Sequence, residues 1–383
     1  MSTQLSFPPV RLGDAAEAFR LEVRGFLDSE RQAGTWGGDH QSWGGWNAEL
    51  SKKLGARGWI GLTWPKQYGG SERSYLDRYI YTEELLAAGA PTGAHWVADR
   101  QSGPLFIRFG TEEQKRTYLP PITRGEAYYS IGMSEPDAGS DLASIRSKAE
   151  RDGDGWRLTG TKIWTSGAHR NHWMIALVRT EPVGGDRHAG MSQFLVDLAS
   201  EGLTIRPIRN IAGDEGFNEV VMDRVFVPNE RLVGEPGAGW RQVTSELAYE
   251  RAGPERFLTN LHLLRELIGV VGRDASRDVR AKVGRAAAHL WTLRQMSVSI
   301  AAMLSEGKLP NTEAALVKDL GTHFQQELPQ IAREVMDALP ASERKSAYRR
   351  ILDRGILAAP AYTIQGGTTE ILRGIIARGL GLR

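Results

Sequence analysis

The sequence predicts an α+β multidomain protein: an N-terminal α-helical domain, a central β-barrel-like domain and a C-terminal four-helix bundle. Three observations carry this. The chain has 383 residues, well beyond the usual length of one domain. Both ends show apolar residues at helical spacing. From Tyr128 onward, short segments rich in Trp, Val, Ile and Thr alternate with turn residues. An order of helices, strands, helices also argues against a doubly wound nucleotide-binding sheet, which would alternate the two throughout. The expected domains are residues 1–127, 128–234 and 235–383.

Asp14 to Leu27 places Ala15, Phe19, Leu21, Val23, Phe26 and Leu27 at broadly helical spacing, and Tyr75 to Ala88 reads similarly after the turn Tyr68-Gly69-Gly70-Ser71. The strand-like segments are Ile145–Ala149, Trp156–Trp164, His172–Arg179, Gln193–Asp197, Leu203–Arg209 and Glu219–Val227. Asp152-Gly153-Asp154-Gly155 separates two of them. It lacks the third acidic position and the closing Glu of a calcium loop, and Asp-Gly is a common hairpin turn, so a hairpin is expected there. After Gly234-Glu235-Pro236-Gly237-Ala238-Gly239 the pattern becomes helical. Phe257, Leu261, Leu264, Ile268 and Val271 form one apolar stripe, and others cover Val283–Leu304 and Glu313–Leu339.

Composition excludes several functions. The net charge is +2 with no long block of either sign, which removes the electrostatic case for nucleic acid. No apolar run approaches the roughly 18 residues of a membrane span. The absence of Cys excludes a thiolate nucleophile and any Cys-ligated metal. No basic segment leads into an apolar run at the N-terminus, so the cytoplasm is the expected compartment. The dinucleotide, P-loop, zinc-hydrolase and serine-hydrolase motifs are all missing, and no metal site is expected.

One region is informative: Met133-Ser134-Glu135-Pro136-Asp137-Ala138-Gly139-Ser140-Asp141, followed by Gly160-Thr161-Lys162-Ile163-Trp164-Thr165-Ser166-Gly167. With Trp64-Pro65-Lys66-Gln67-Tyr68-Gly69-Gly70 upstream and Gly366-Gly367-Thr368-Thr369-Glu370-Ile371-Leu372-Arg373 downstream, the sequence resembles the acyl-CoA dehydrogenase family along nearly its whole length. The resemblance implies FAD as cofactor, an acyl-CoA substrate and α,β-dehydrogenation to the 2-enoyl thioester. It implies an electron-transfer flavoprotein or similar acceptor, and assembly as a homo- or hetero-oligomer, dimer or tetramer. By the same resemblance Ile131, Met133, Ser134, Trp164, Thr165, Ser166, Thr368, Thr369 and Glu370 hold the cofactor. Ser140, Tyr249, Arg251 and Gly367 would meet the substrate. An indole covering a flat heteroaromatic ring, with hydroxyls at its edge, suits that role. The bland alternative is that Trp and Thr are simply good strand residues.

Oxidising an acyl thioester requires a carboxylate base at the α-carbon. Many family members carry that Glu directly before Gly-Thr near the C-terminus, where this chain has Gly366. Others, including the isovaleryl type, carry it on a C-terminal-domain helix directly before Arg. Leu247-Ala248-Tyr249-Glu250-Arg251 matches that place, opening a helix expected to run through Phe257 and Leu261, so Glu250 is the expected base. The alternative is a solvated Glu-Arg pair on a helix surface. Gly366 leaves space near the usual base, which points to a branched or bulky acyl group. Neither the family's Arg-x-x-Phe-Gly nor its Gln-x-x-Gly-Gly-x-Gly segment is recognisable. Both losses occur in relatives that act as one of two unlike subunits, some of which have surrendered catalysis to the partner. Two rivals follow: a non-catalytic partner subunit, and a family flavoprotein acting on a non-CoA substrate or by different chemistry such as desulfination.

Overall fold

The computed structural model describes residues 5–37, 44–250, 253–272, 275–338 and 346–382, the side chains of 246–250 and 346–347 excepted. Six helices come first: α1 (Asp14–Gln32), α2 (Ala48–Ala56), α3 (Tyr75–Ala88), α4 (Gly93–Val97), α5 (Gly103–Phe109) and α6 (Glu112–Thr123). Eight strands follow: β1 (Tyr129–Gly132), β2 (Lys148–Asp152), β3 (Gly155–Ser166), β4 (Trp173–Arg179), β5 (Met191–Asp197), β6 (Leu203–Ile208), β7 (Phe217–Pro228) and β8 (Leu232–Val233). Then come α7 (Gly239–Glu250), α8 (Glu255–Leu258), α9 (Leu261–Val271), α10 (Arg277–Ser305), α11 (Asn311–Ala338), α12 (Ser346–Ala358) and α13 (Thr369–Gly379). The chain forms two compact units: a helical unit of Met1–Trp43, Ser74–Ala90 and Ala248–Arg383, and a sheet unit of Gly44–Arg73 and Pro91–Leu247.

In the sheet unit the strand order is β6-β7-β3-β2-β4-β5-β8, with β1 pairing parallel to β4. Among the described residues no pairing joins β6 to β8, so the barrel-like expectation narrows to an open sheet. Strand β4 is apolar on both faces: Met174, Ala176 and Val178 pack with Trp156, Phe194 and Val220, while Leu177 packs with Ile145, Met191 and Val243. The expected hairpin is present, because Asp152 pairs with Gly155 and Gly153 adopts φ 60°. The segment expected at Ile145–Ala149 begins pairing only at Lys148, since Leu142–Ser144 forms a 3-10 turn that ends at Ile145. Helix α6 opens with a capping box between Thr111 and Gln114, and the Gln114 amide also donates to the Glu230 and Leu232 carbonyls, each at 2.7 Å.

In the helical unit one expectation fails. Among the described residues no single helix runs from Glu250 through Phe257 and Leu261: Gly253 and Pro254 are not helical, α8 is a single turn and α9 starts at Leu261. Pro254, preceded by Gly253, has no N–H to donate and disfavours α geometry at the residue before it, which breaks the helix. Helix α10 starts at Arg277, earlier than its apolar stripe, because Ser276 caps it by accepting from the Val279 N–H. The end of the Glu313–Leu339 stripe, Leu339, lies outside the described residues. Phe257, Leu264, Leu293, Phe324, Leu328 and Tyr348 share the core.

A buried ion network ties α1, α3 and α10 within this unit. Glu83 accepts from Arg20 at 2.6 Å and from Arg294 at 2.6 and 3.0 Å, and Glu84 accepts from Arg20 at 2.7 Å. Burial alone would raise the Glu83 carboxyl, but Arg294 and Arg20 hold it below the usual carboxylate range. Glu83→Ala leaves two largely buried guanidinium groups facing the emptied site, so urea unfolding should show a loss of about 3–5 kcal/mol. A loss below about 1 kcal/mol would mark the network as a weak, solvated one.

Candidate active site

Strand β3 carries the motif residues of the sheet unit. Its register against β7 shifts between Lys162 and Thr165, so Ile163 and Trp164 form a bulge. Trp164 sits at φ 60°, a conformation that costs a bulky L-residue roughly 1–2 kcal/mol. Its indole is 55% exposed and leans edge-on against Phe217, with ring centroids 6.1 Å apart. An exposed aromatic in a strained backbone is not explained by filling a core or by strand propensity. Thr165 is buried, and its hydroxyl has no hydrogen-bond partner. Ser166 closes the strand half-buried, its carbonyl accepting from the Ser130 hydroxyl at 2.8 Å.

The loop after β1 is stitched to this bulge. The Ser134 carbonyl accepts from the Ile163 N–H at 2.9 Å. The fully buried Lys162 ammonium donates to the Met133 carbonyl at 3.1 Å and to Glu135 at 2.7 Å. Glu135 also accepts from the Arg146 and Ser147 N–H groups at 2.6 and 2.9 Å. Burial lowers Lys162 to about 8, against the pull of Glu135. The Glu135 carboxyl, which burial alone would raise, is held below the usual range by Lys162 and those two amides. Ile131, in β1, lies opposite Ile175 of β4, and Met133 packs beside Ile145 and Leu177. The structure thus brings Met133 and Ser134 to Trp164, Thr165 and Ser166. Ser140 lies farther along the same loop, exposed beside the Asp141–Arg187 ion pair.

The remaining expected residues lie in the helical unit. Thr368 caps α13, accepting from the Ile371 N–H at 3.4 Å; Glu370 follows in the first turn, and backbone and Thr368 hydrogen bonds hold its carboxyl below the usual range. The buried Thr369 hydroxyl has no hydrogen-bond partner among the described residues. Gly366 and Gly367 adopt φ 68° and 105°, and the buried Lys318 ammonium donates to the Gly367 carbonyl at 2.9 Å. A Cβ at Gly366 would come within 3.0 Å of the Arg256 guanidinium, so a cation borders the space expected there. Tyr249 and Glu250 are the last residues of α7, with side chains outside the described residues; Arg251 lies wholly outside them. Sequence reasoning gave no role to Glu135, Lys162, Lys318 or Arg256. A Lys in the middle of a strand pattern was the available signal for Lys162; nothing in the sequence pairs Arg256 with Gly366.

The chain matches the acyl-CoA dehydrogenase N-terminal, middle and C-terminal domains over residues 13–126, 130–225 and 237–381. It is 36% identical over 387 positions to acyl-CoA dehydrogenase IpdE1 of Mycobacterium tuberculosis, covering 96% of this chain and 97% of that protein. Among solved structures it resembles the Tcur3481-Tcur3483 steroid ACAD, with TM-score 0.85 and 30% identity over 97% of this chain and 99% of that one. The ChsE4-ChsE5 complex of Mycobacterium tuberculosis is similar, with TM-score 0.84 and 31% identity over 98% of this chain and 100% of that one. The chain belongs to the acyl-CoA dehydrogenase family. It is an oxidoreductase with FAD as cofactor, and its general chemistry is flavin-dependent acyl-CoA dehydrogenation.

The residues present fit that cofactor. Each unit holds a buried hydroxyl without a partner, Thr165 and Thr369, next to residues expected to meet FAD. Such groups are costly unless a ligand satisfies them. Two tests follow. Trp164→Gly removes the ring while relieving the backbone, so apoprotein stability should change by no more than about 1 kcal/mol while FAD affinity falls at least about tenfold. Unaltered affinity with a larger stability loss would return Trp164 to an ordinary strand role. The lowered Glu135 carboxyl contributes stability that is full above its unfolded value near 4.5 and is lost as pH falls through the folded value. The melting temperature of the parent should therefore fall more steeply below pH 4.5 than that of Glu135→Gln, and parallel curves would refute the assignment.

Proposed function

We propose that this member of the acyl-CoA dehydrogenase family oxidises a steroid-type acyl-CoA to its 2-enoyl thioester, with Glu250 as the base. The observation that carries the cofactor half of this reading is Trp164, exposed and strained in a bulge beside the unpartnered Thr165 hydroxyl. Likeness to a steroid ACAD at 30% identity supports the acyl class. FAD, when bound, supplies the acceptor for the β-hydride.

The chain's own residues do the rest. The Glu250 carboxylate takes the α-proton, and Arg251 keeps that carboxylate ionised when the site is free. Trp164 would cover one face of the flat ring, Ile131 and Met133 would line its pocket, and Ser134, Thr165 and Ser166 would offer hydroxyl and main-chain donors to its edge. Thr368, Thr369 and Glu370 meet the cofactor's polar groups at the α13 N-terminus. Ser140, Tyr249 and Gly367 contact the thioester and its pantetheine arm. Electrons then leave to an electron-transfer flavoprotein or similar acceptor. The protein works as a dimer or tetramer, and likeness to complexes of unlike chains supports a partner subunit.

Glu250→Gln keeps shape and hydrogen bonding but cannot accept the proton. FAD and acyl-CoA should still bind, while anaerobic flavin reduction slows by at least about 10²-fold. Reduction at the parental rate would move the base elsewhere. A purified parent that binds FAD but is reduced by no acyl-CoA would favour the non-catalytic partner-subunit reading. Light scattering showing a stable FAD-bound monomer would contradict the assembly.

A further inference from the structure

Lys162 is the most deeply buried cation of the sheet unit, with no exposed surface, and the dehydrogenation chemistry above gives it no task. Its stem passes against Gly132, where a Cβ would stand 3.3 Å from the Lys162 Cγ and 2.6 Å from the Met174 sulfur. A Cβ at 132 would press on the Met174 sulfur and crowd the lysine stem, so the glycine leaves both side chains room. At its tip the ammonium has two acceptors of different character. One is the Glu135 carboxylate at 2.7 Å, which balances its charge. The other is the Met133 carbonyl at 3.1 Å, which is neutral and belongs to the loop stitched to the Trp164 bulge.

That second bond fixes a direction. The peptide joining Met133 to Ser134 is trans, so its C=O and N–H point to opposite sides. With the Met133 carbonyl turned inward to the ammonium, the Ser134 N–H points outward, away from the buried side. The next peptide is held as well, because the Ser134 carbonyl accepts from the Ile163 N–H and the Glu135 N–H donates to the Ala138 carbonyl at 2.8 Å. The unit cannot flip without breaking a bond to a buried charge. A cation on the carbonyl also draws electron density from the amide, which makes its N–H a stronger donor in a low-dielectric setting.

We propose that Lys162 is a positioning residue that aims and polarises the Ser134 N–H toward the electron-rich edge of the bound flavin, with Glu135 as its charge partner. This rests on the cofactor reading of the Trp164 loop. A reduced flavin carries more negative charge than an oxidised one, so a polarised donor at its edge binds the reduced form better and raises its potential.

The test separates the bond to Met133 from the buried pair as a whole. Glu135→Gln removes the carboxylate whose pull keeps the buried ammonium charged, so the lysine is driven toward its neutral amine, which still donates to the Met133 carbonyl. Lys162→Met/Glu135→Gln removes both charges, which avoids a lone buried ion, and also removes the bond to Met133. For each protein, FAD affinity of the apoprotein, the flavin reduction potential and the thermal midpoint of the apoprotein are measured. The expected result for Glu135→Gln is a lower potential with affinity closer to parental, since the amine holds the peptide's direction but carries no charge; the double variant also weakens affinity about tenfold. Lys162→Gln/Glu135→Gln, polar and uncharged, is read in the same way should the methionine variant fold poorly. A double variant that matches Glu135→Gln in affinity and potential overturns the proposal. So does an affinity loss that only tracks a lower apoprotein midpoint with the potential unmoved, since that marks a structural role. A parent that takes up no FAD would overturn the cofactor reading itself, whereas a parent that binds FAD beside an indifferent double variant overturns this inference alone.

Discussion

The sheet unit depends on one carboxylate. Glu135 gathers the Lys162 ammonium from β3 and two main-chain N–H groups from the entry to β2, so three stretches of chain meet at a single buried anion. Neither partner is tolerable there alone, because a lone buried charge loses its hydration without replacement. Arg179 extends the arrangement by donating to the Ile145 and Ala143 carbonyls at 3.0 and 2.7 Å, which holds the loop leading from Ser140 toward β2. The loop after β1 is irregular, yet both its ends, at residues 133–135 and 143–147, are held by bonds to buried groups.

That rigidity is what sustains strain at Trp164. A bulky residue at positive φ relaxes unless its surroundings determine its backbone. Here the Ile163 N–H is held by Ser134 on one side of the indole, and the Thr165 carbonyl accepts from the Asn218 amide at 2.9 Å on the other. The bulge turns the indole out of the alternation of β3 and into the open. The strain and the exposed aromatic area are costs to the apoprotein, which a planar ring bound there, as proposed, would offset.

The helical unit solves a similar problem with other groups. Its 362–369 loop runs over a polar interior in which Lys318, Gln325, Asn260 and Tyr362 exchange hydrogen bonds with one another's carbonyls and side chains. Gly366 and Gly367 take left-handed conformations that present main chain where other residues would present side chains. A side chain at 366 would crowd the Arg256 guanidinium, whose nearest nitrogen would stand 3.0 Å from its Cβ. Gly366 has no side chain to act as a base, in keeping with the proposal that Glu250 does.

The sequence by itself determined the element order, the Asp-Gly hairpin and the family. Alternation, turn residues and the motif blocks around Ser134, Trp164 and Thr368 are local signals, and each reports on a few neighbouring residues. It also read Trp164 as exceptional, though only through its motif. What the tertiary structure decided was everything set by residues distant in sequence. Lys162 meets Met133 and Glu135 across 29 and 27 positions, and Arg294 reaches Glu83 across 211. The same holds for the open sheet, which follows from which strands pair, and for the break at Pro254, where an apolar stripe continued across residues that cannot continue a helix. Buried charges are legible only once their partners are known, because the same lysine is a solvated surface group in one fold and a clamp in another.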